Sequence, residues 1–465
     1  MEEKRNEQEI RNDLMLNTPI PKLIPRLAAP TVTSMLVTSI YNMADTYFVS
    51  QLGQSASGAV GVVFTLMLFI QAIGFTLGMG SGSNIARLLG AQDEKTASGV
   101  ASTGFVTSIL LGLLLAVGGI IFMEPLVRML GATETILPYA EAYAQYILIG
   151  APWMAASFVL NNILRSQGNA FWSMIGLTIG GVLNIILDPI FIFALGMGTG
   201  GAALATILSQ LVSFFILLYM VMRHSAARIS LKRVNFRLLG RIIPVGLPSF
   251  YRQGLTSIAT ILLNRAAGVY GDAAIAAMSI TSRIMGFCFS ALIGFYQGFQ
   301  PVCGFNYGAK RYDRVREAML FSMKVTTVAM TVLCVLVMFF APQLIEIFRR
   351  GDTEVIEIGA KALRMQAILL PTMAYSVMTN MSHQSLGMST QASILALARQ
   401  GLFFIPAILI LPALFGLQGV LLAQPVADVL ALLISIPFAT VLLRDLKTQS
   451  VRPTPIDTAS SYEAE

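Results

Sequence analysis

Two aspartates, an asparagine and a threonine are spaced along the chain so that they can meet at one depth of a membrane. Asp45 and Asp188 each stand about five residues before the end of an apolar segment, and Thr206 stands about five residues after the start of the next one. Asn184 comes four residues before Asp188, which places both side chains on one face of a helix. Oxygen ligands of this kind suit a hard cation, and two close carboxylates in a low dielectric favour a bound proton. The set predicts a site for H⁺ or Na⁺ if the first, fifth and sixth segments are neighbours.

Prolines adjoin this set. Pro189 directly follows Asp188, and because proline has no N–H and a bulky ring, it frees the carbonyl of Ile185 and bends the helix. Pro30 can bend the first segment in the same way, and such a bend can respond to protonation. The alternative is that each aspartate simply pairs with a neighbouring amide or arginine and has no transport role.

Other ionisable residues also fall inside apolar segments. A charge is costly there, so each of these residues is a candidate functional residue. They are Arg265, Arg283, Arg399 and Asp428. Asp428 lies near the middle of its segment, where it could attract a cationic substrate. An ion pair of Asp428 with Arg399 or Arg283 that holds the C-terminal half together fits the sequence equally well. Arg252 and Lys324 lie near segment ends, and we expect their side chains to extend to the interface.

Long apolar segments carry all of these residues. Of the 465 residues, 55% are hydrophobic and 12% are charged, whereas a soluble chain has about 25% charged residues. A membrane-spanning helix needs about 20 apolar residues, and the alternating pattern of a β-barrel is missing. We therefore predict an all-α membrane protein with twelve transmembrane helices in two pseudo-symmetric six-helix bundles. The predicted spans are 27–50, 57–83, 96–122, 136–161, 170–193, 201–222, 245–270, 274–301, 315–340, 359–385, 392–415 and 418–443.

Basic residues are distributed unevenly between the connecting loops. With a cytoplasmic N-terminus, the inner segments hold 21 Lys and Arg residues and the outer segments hold 5. This bias predicts a multi-pass protein of the cell (inner) membrane with both termini in the cytoplasm. The net charge of +7 then faces anionic lipid and does not indicate a nucleic-acid partner. The first 26 residues contain no apolar stretch of the kind found in signal peptides.

The two halves of the chain repeat one another. An offset of 218 places Gly53 on Gly271, and an offset of 219 places Pro152 on Pro371. Because each half has six spans, both halves cross the membrane in the same direction, and a cavity is expected between them. The predicted divisions are an N-terminal cytoplasmic segment (1–26), an N-lobe (27–222), an inter-lobe linker (223–244), a C-lobe (245–443) and a cytoplasmic tail (444–465).

The chain resembles the multidrug and toxic compound extrusion (MATE) transporters, and in particular their MepA-like branch. The resemblance covers residues 20–445 and rests on five short stretches. They are Pro30, Tyr-Asn-Met-Ala-Asp at 41–45, Arg-Leu-Leu-Gly-Ala at 87–91, Asn-Ile-Ile-Leu-Asp-Pro at 184–189, and Gly-Gly-Ala-Ala at 200–203 followed by Thr206.

The resemblance implies export of amphipathic, often cationic, drugs and dyes by antiport with H⁺ or Na⁺, with no enzymatic reaction and no cofactor. It also implies a monomer surrounded by membrane lipid. The cation or proton site would be formed by Asp45, Asn184, Asp188 and Thr206, with Tyr41 nearby and Pro30 in a helix that bends. Some members carry further carboxylates in the seventh and tenth spans. None occurs in 245–270 or 359–385, which favours the N-lobe as the coupling site.

Two other functions are compatible with parts of the sequence. A flippase for a lipid-linked oligosaccharide or another amphipathic lipid would need arginines facing the cavity, and Arg265, Arg283 and Arg399 are the candidates. A membrane-embedded transferase would need an acidic metal motif or a nucleophile with its base at a membrane face. No such motif is visible, and the two histidines, His224 and His383, lie far apart in the chain.

Overall fold

The computed structural model describes residues 10, 12–349 and 351–451, and helices make up nearly all of that range. The helices of the N-terminal half are α1 (Ile20–Ser50), α2 (Gln54–Gly90), α3 (Glu94–Ile121), α4 (Met123–Met129), α5 (Leu137–Ser166), α6 (Ala170–Pro189) and α7 (Gly198–His224). Those of the C-terminal half are α8 (Leu239–Gly268), α9 (Asp272–Gly308), α10 (Tyr312–Phe339), α11 (Ala341–Phe348), α12 (Thr353–Ala367), α13 (Leu370–Leu386), α14 (Ser389–Leu397), α15 (Ile405–Phe415) and α16 (Leu417–Val451).

The described helices account for the predicted spans. Ten are long and apolar enough to cross a membrane. Of the other two predicted spans, the seventh is the more polar helix α8, and the tenth is divided into α12 and α13. The prediction of an all-α membrane protein is confirmed. Helix α1 begins inside the predicted N-terminal segment and α8 begins inside the predicted linker, whereas residues 1–9 and 452–465 lie outside the described residues.

The two halves of the fold are built alike. Helices α2 and α9 both have 37 residues, and α3 and α10 both have 28. The turns repeat as well, because the glycines that precede α2 and α9 have φ values of 107° and 99°. Only glycine adopts such a conformation without strain. The repeated glycines therefore mark equivalent turns in the two lobes.

The two lobes meet through glycines at one end of the molecule. A Cβ atom on Gly90 would collide with the carbonyl oxygen of Phe305, one on Gly308 with that of Arg87, and one on Gly246 with that of Thr76. Small residues of this kind let the backbones of neighbouring helices approach closely. Arg87 also donates to the carbonyl of Leu386 at 3.0 Å. We call this end, which contains the start of α1 and the ends of α2 and α9, the closed end.

The segment before α1 is fixed at the closed end. Arg314 of the C-lobe donates to the carbonyl of Thr18 at 2.7 Å, and Asn306 donates to the carbonyl of Met15 at 3.2 Å. The Met15 side chain is fully buried and lies against Gly168 of the N-lobe. The segment therefore contacts both lobes where they are joined.

Gly246→Ala tests whether the close approach at the closed end stabilises the fold. We expect it to lower the thermal unfolding temperature of the purified protein, because the added methyl group meets the backbone of Thr76 in the other lobe. Gly254→Ala is the matched control in the same helix, since no atom lies within 4 Å of the position of its Cβ. Equal unfolding temperatures for the two variants would contradict this account of the lobe contact.

Candidate functional site

Glycines bring the three helices of the predicted cation site together. Helix α6 packs against both α1 and α7. A Cβ on Gly181 would lie 3.0 Å from the ring of Tyr41 in α1, and one on Gly180 would lie 2.9 Å from Ser213 in α7. The first, fifth and sixth predicted spans are therefore neighbours.

The predicted polar side chains of α6 and α7 form one hydrogen-bonded group. Asn184 donates to a carboxylate oxygen of Asp188 at 3.0 Å and contacts the hydroxyl of Thr206 at 3.4 Å. The Thr206 hydroxyl donates to the carbonyl of Ala202 at 3.0 Å. All three side chains are buried. Asp45 lies one turn after Tyr41 on α1, the helix that contacts α6 at Gly181.

Three buried oxygen atoms in this group lack a hydrogen-bond partner among the described residues. They belong to different side chains, and they are Oδ1 of Asp45, Oδ1 of Asn184 and Oδ2 of Asp188. Buried polar atoms are rarely left unpaired unless a water, an ion or a function accounts for them. Two carboxylate oxygens and one amide oxygen are suitable ligands for Na⁺, and either carboxylate can bind a proton. We call Asp45, Asn184, Asp188 and Thr206 the N-lobe site.

The prolines and a buried tyrosine shape the N-lobe site. Pro189 ends α6, and the next turn, Ile190–Ala194, is a π-helix, a conformation that is frequent at functional sites. Helix α1 continues through Pro30 without a break. Tyr143 of α5 is fully buried beside the same carboxylates and Thr206. Tyr143 could not be singled out from the sequence, because its segment is apolar and tyrosine is common in such segments.

Asp428 in the C-lobe is neutralised by an ion pair. Arg399 donates to its carboxylate at 2.6 Å, and Gln424 donates to the same oxygen at 3.0 Å. The Arg399 guanidinium also lies over the ring of Phe289, 5.7 Å from its centre, and belongs to a π-helical stretch, Ala398–Phe404. Of the two roles predicted for Asp428, the structure shows the ion pair, and the partner is Arg399.

The other two arginines named from the sequence lie elsewhere. Arg265 and Arg283 both have exposed side chains, and neither lines the cavities of the C-lobe. Their helices turn other residues toward the cavities, namely Arg252 and Thr256 of α8 and Ser282 and Met285 of α9. Of the three arginines offered from the sequence as substrate contacts, Arg399 alone lines one of these two cavities.

Two arginines that the sequence analysis did not select line a cavity between the lobes. Arg165 of α5 was counted with the cytoplasmic loops, and Arg252 of α8 was expected to extend to the interface. Both line one cavity, together with Tyr41 and Phe75 of the N-lobe and Tyr296 of the C-lobe. We call this space the inter-lobe cavity.

Comparison with known proteins places the chain in a family. The profile of the MatE family matches residues 30–190 and 248–410, once in each lobe. The chain belongs to the MatE family. The multidrug export protein MepA of Staphylococcus saprophyticus is 29% identical over 429 residues, which is 90% of this chain and 93% of that protein. The family assignment and the MepA-like resemblance agree with the prediction, and members of this family are membrane transporters and not enzymes.

Solved MATE structures have the same fold. The outward-facing conformation of a multidrug resistance MATE family transporter of the MOP superfamily has a TM-score of 0.88 and 30% identity, covering 93% of this chain and 98% of that one. A MOP superfamily transporter from Pyrococcus furiosus, described as having a binding pocket of reverse polarity, also has a TM-score of 0.88 and 30% identity, with 94% and 98% covered.

Asp428→Asn tests the energetic role of the C-lobe ion pair. The substitution leaves the charge of Arg399 without its counter-ion, and we expect it to destabilise the protein by about 3 kcal/mol. Replacing both partners with apolar residues, as Asp428→Leu with Arg399→Met, should recover most of the loss. Thermal unfolding of the three purified proteins measures both effects. A double variant less stable than Asp428→Asn would show that the pair is not the source of the loss.

Proposed function

We propose that the protein is a secondary active exporter that moves amphipathic compounds out of the cell by antiport with H⁺ or Na⁺. The observation that carries the proposal is the set of unpaired buried oxygens on Asp45, Asn184 and Asp188. Such a set gives a cation a binding site inside the membrane, and the curated relatives are multidrug export proteins. The protein would act as a monomer in the cell (inner) membrane.

The orientation follows from the distribution of charge. The closed end carries many of the basic residues, including Arg87, Arg241 and Arg311, and the positive-inside rule supports a cytoplasmic location for it. The termini would then lie in the cytoplasm. With the lobes joined at the cytoplasmic side, the structure would correspond to an outward-facing state, in which a bound compound could leave toward the outside.

Helix α1 connects the N-lobe site with the contact between the lobes. It carries Asp45, and nearer the closed end its Thr31 donates to the carbonyl of Gly294 in α9 at 2.6 Å. Its Ser39 donates to Ser290 of α9 at 2.9 Å. A cation that draws Asp45 toward Asp188 would therefore shift α1 against the C-lobe, and Pro30 lies next to Thr31 at the far end of this contact. Different affinities of the site for the ion in the two states would couple ion entry to export.

A lipid flippase is the second candidate function. It is favoured by one specific observation, namely that Arg165 and Arg252 line the inter-lobe cavity, because a flippase needs cationic groups that contact a lipid phosphate. The arginines predicted from the sequence for this role do not line that cavity; they are Arg265, Arg283 and Arg399.

Transport in proteoliposomes tests the exporter. We expect an imposed pH gradient or an imposed Na⁺ gradient to drive dye transport, with Asp188→Asn and Asp45→Asn each reducing the rate to that of protein-free vesicles. The physical reason is that an amide cannot bind a proton or neutralise Na⁺ as a carboxylate does. One cationic and one anionic dye would be used.

Asp272→Asn is the matched control, because this aspartate is exposed at the start of α9 and should leave transport unchanged. Gradient-driven transport that survives in both Asp45→Asn and Asp188→Asn would rule out the N-lobe site as the coupling site.

A further inference from the structure

Arg165 places an unneutralised positive charge in the wall of the inter-lobe cavity. Its side chain is 2% exposed. One terminal nitrogen donates to Asn161 and to Gln297 of the C-lobe, both at 2.8 Å, and the other donates to Asn162. These acceptors are neutral amide oxygens. The Nε atom is buried and has no partner among the described residues.

Arg252 contributes a second such charge from the opposite lobe. Its hydrogen-bonding contacts are long ones, to the hydroxyl of Ser249 at 3.4 Å and to the sulfur of Met381 at 3.6 Å. The Tyr296 ring is close to both Arg165 and Arg252 and lines the same cavity. The two guanidinium groups therefore face one space, and each belongs to a different lobe.

The described part of the chain supplies no carboxylate for either arginine. Neither one forms an ion pair there, whereas Arg399 in the adjoining C-lobe pocket is paired with Asp428. Asp45 and Asp188 do not line the inter-lobe cavity. The cavity wall consequently carries an excess of positive charge.

A positive charge among membrane helices is costly, so a cavity wall that carries two such charges without a carboxylate favours an anionic ligand. Guanidinium groups bind carboxylate, phosphate and sulfonate through paired, charge-assisted hydrogen bonds. The remaining wall combines neutral polar side chains with an apolar and aromatic part, which includes Met35, Met79, Phe75, Phe158 and Phe289. Aromatic and methionine side chains adapt to apolar bodies of varied shape.

We propose that the inter-lobe cavity binds amphiphiles through a single anionic head group held between Arg165 and Arg252, with the apolar body against the Met and Phe side chains. The ligand would contact both lobes, so its binding affects how they are joined. Anionic amphiphiles would then be a substrate class of the proposed exporter. The transport of the ligand rests on that proposed function, whereas its binding to the cavity does not.

Equilibrium binding of three matched probes tests the proposal without any ion gradient. The probes are 1-pyrenebutyrate, neutral 1-pyrenebutanol and cationic pyrenebutyl-trimethylammonium, which share one aromatic body and differ in the charge of the head group. Fluorescence titration of the purified full-length protein in phosphatidylcholine nanodiscs should show the butyrate binding most tightly. The Arg252→Gln variant should weaken butyrate binding by roughly tenfold or more and leave butanol binding unchanged.

Two further variants separate charge from folding. Arg252→Lys keeps the charge but loses the planar fork, and should give intermediate binding. Arg283→Gln removes an exposed arginine outside the cavity and should bind like the unaltered protein. The ratio of butyrate to butanol affinity within one preparation does not depend on the fraction of protein that is folded.

Competition identifies the source of the anion. Displacement of the butyrate by phosphatidylglycerol placed in the nanodisc supports a lipid, and displacement by water-soluble dodecyl phosphate alone supports an exported compound. Equal or tighter binding of the cationic probe, an unchanged affinity ratio in Arg252→Gln, or no displacement by either competitor would overturn the proposal. Gradient-driven transport that fails while butyrate selectivity persists would overturn the exporter and leave the anion site standing.

Discussion

Charges inside this protein must be neutralised by the chain itself or by a ligand, because the surrounding hydrocarbon offers no solvent for them. The buried charged groups meet this constraint in three ways. Asp428 forms an ion pair with Arg399, so its charge is neutralised by the chain itself. In the N-lobe site, carboxylate and amide oxygens have no hydrogen-bond donor among the described residues, which suits a cation. Arg165 and Arg252 have no described carboxylate, which suits an anion.

Close helix packing keeps these groups in different places. Glycines at 180 and 181 bring α6 against α7 and α1, so that the carboxylates lie inside the N-lobe. Glycines at 90, 246 and 308 join the two lobes at the closed end, so that the arginines of α5 and α8 face one cavity. Helix α1 contacts α6 at Gly181 and the C-lobe helix α9 at Gly298. A change at the ion site can therefore reach the lobe interface through one continuous helix.

The spans and the residues of the N-lobe site could be predicted from the sequence, because a membrane restricts which structures and which residue types can occur inside it. A span must be helical and apolar, and a polar residue within it is rare enough to be noticed. Depth along the helix then follows from the residue count, which placed Asp45, Asn184, Asp188 and Thr206 at one level. The offset of 218 between the halves reappears in the matching lengths of α2 and α9.

The arginines could not be placed in this way because depth does not give the rotation of a helix or the packing of its ends. Arg165 lies near the end of α5, where a basic residue normally faces water, but the second lobe covers it. Arg265 and Arg283 lie inside predicted spans, yet their side chains are exposed and line neither of the two cavities. The partner of Asp428 was ambiguous for the same reason. Tyr143 carries no charge and is distinguished only by its neighbours.

The central claim is that a cation at the N-lobe site changes the arrangement of the lobes. Spin labels at Met129→Cys and Val269→Cys would report it most directly, since both positions are exposed, one in each lobe, at the end opposite the closed end. The distance between the labels, measured by electron–electron double resonance, should change when Na⁺ is added or the pH is lowered, and should not change in the Asp188→Asn protein. A shift of equal size in Asp188→Asn would contradict the account.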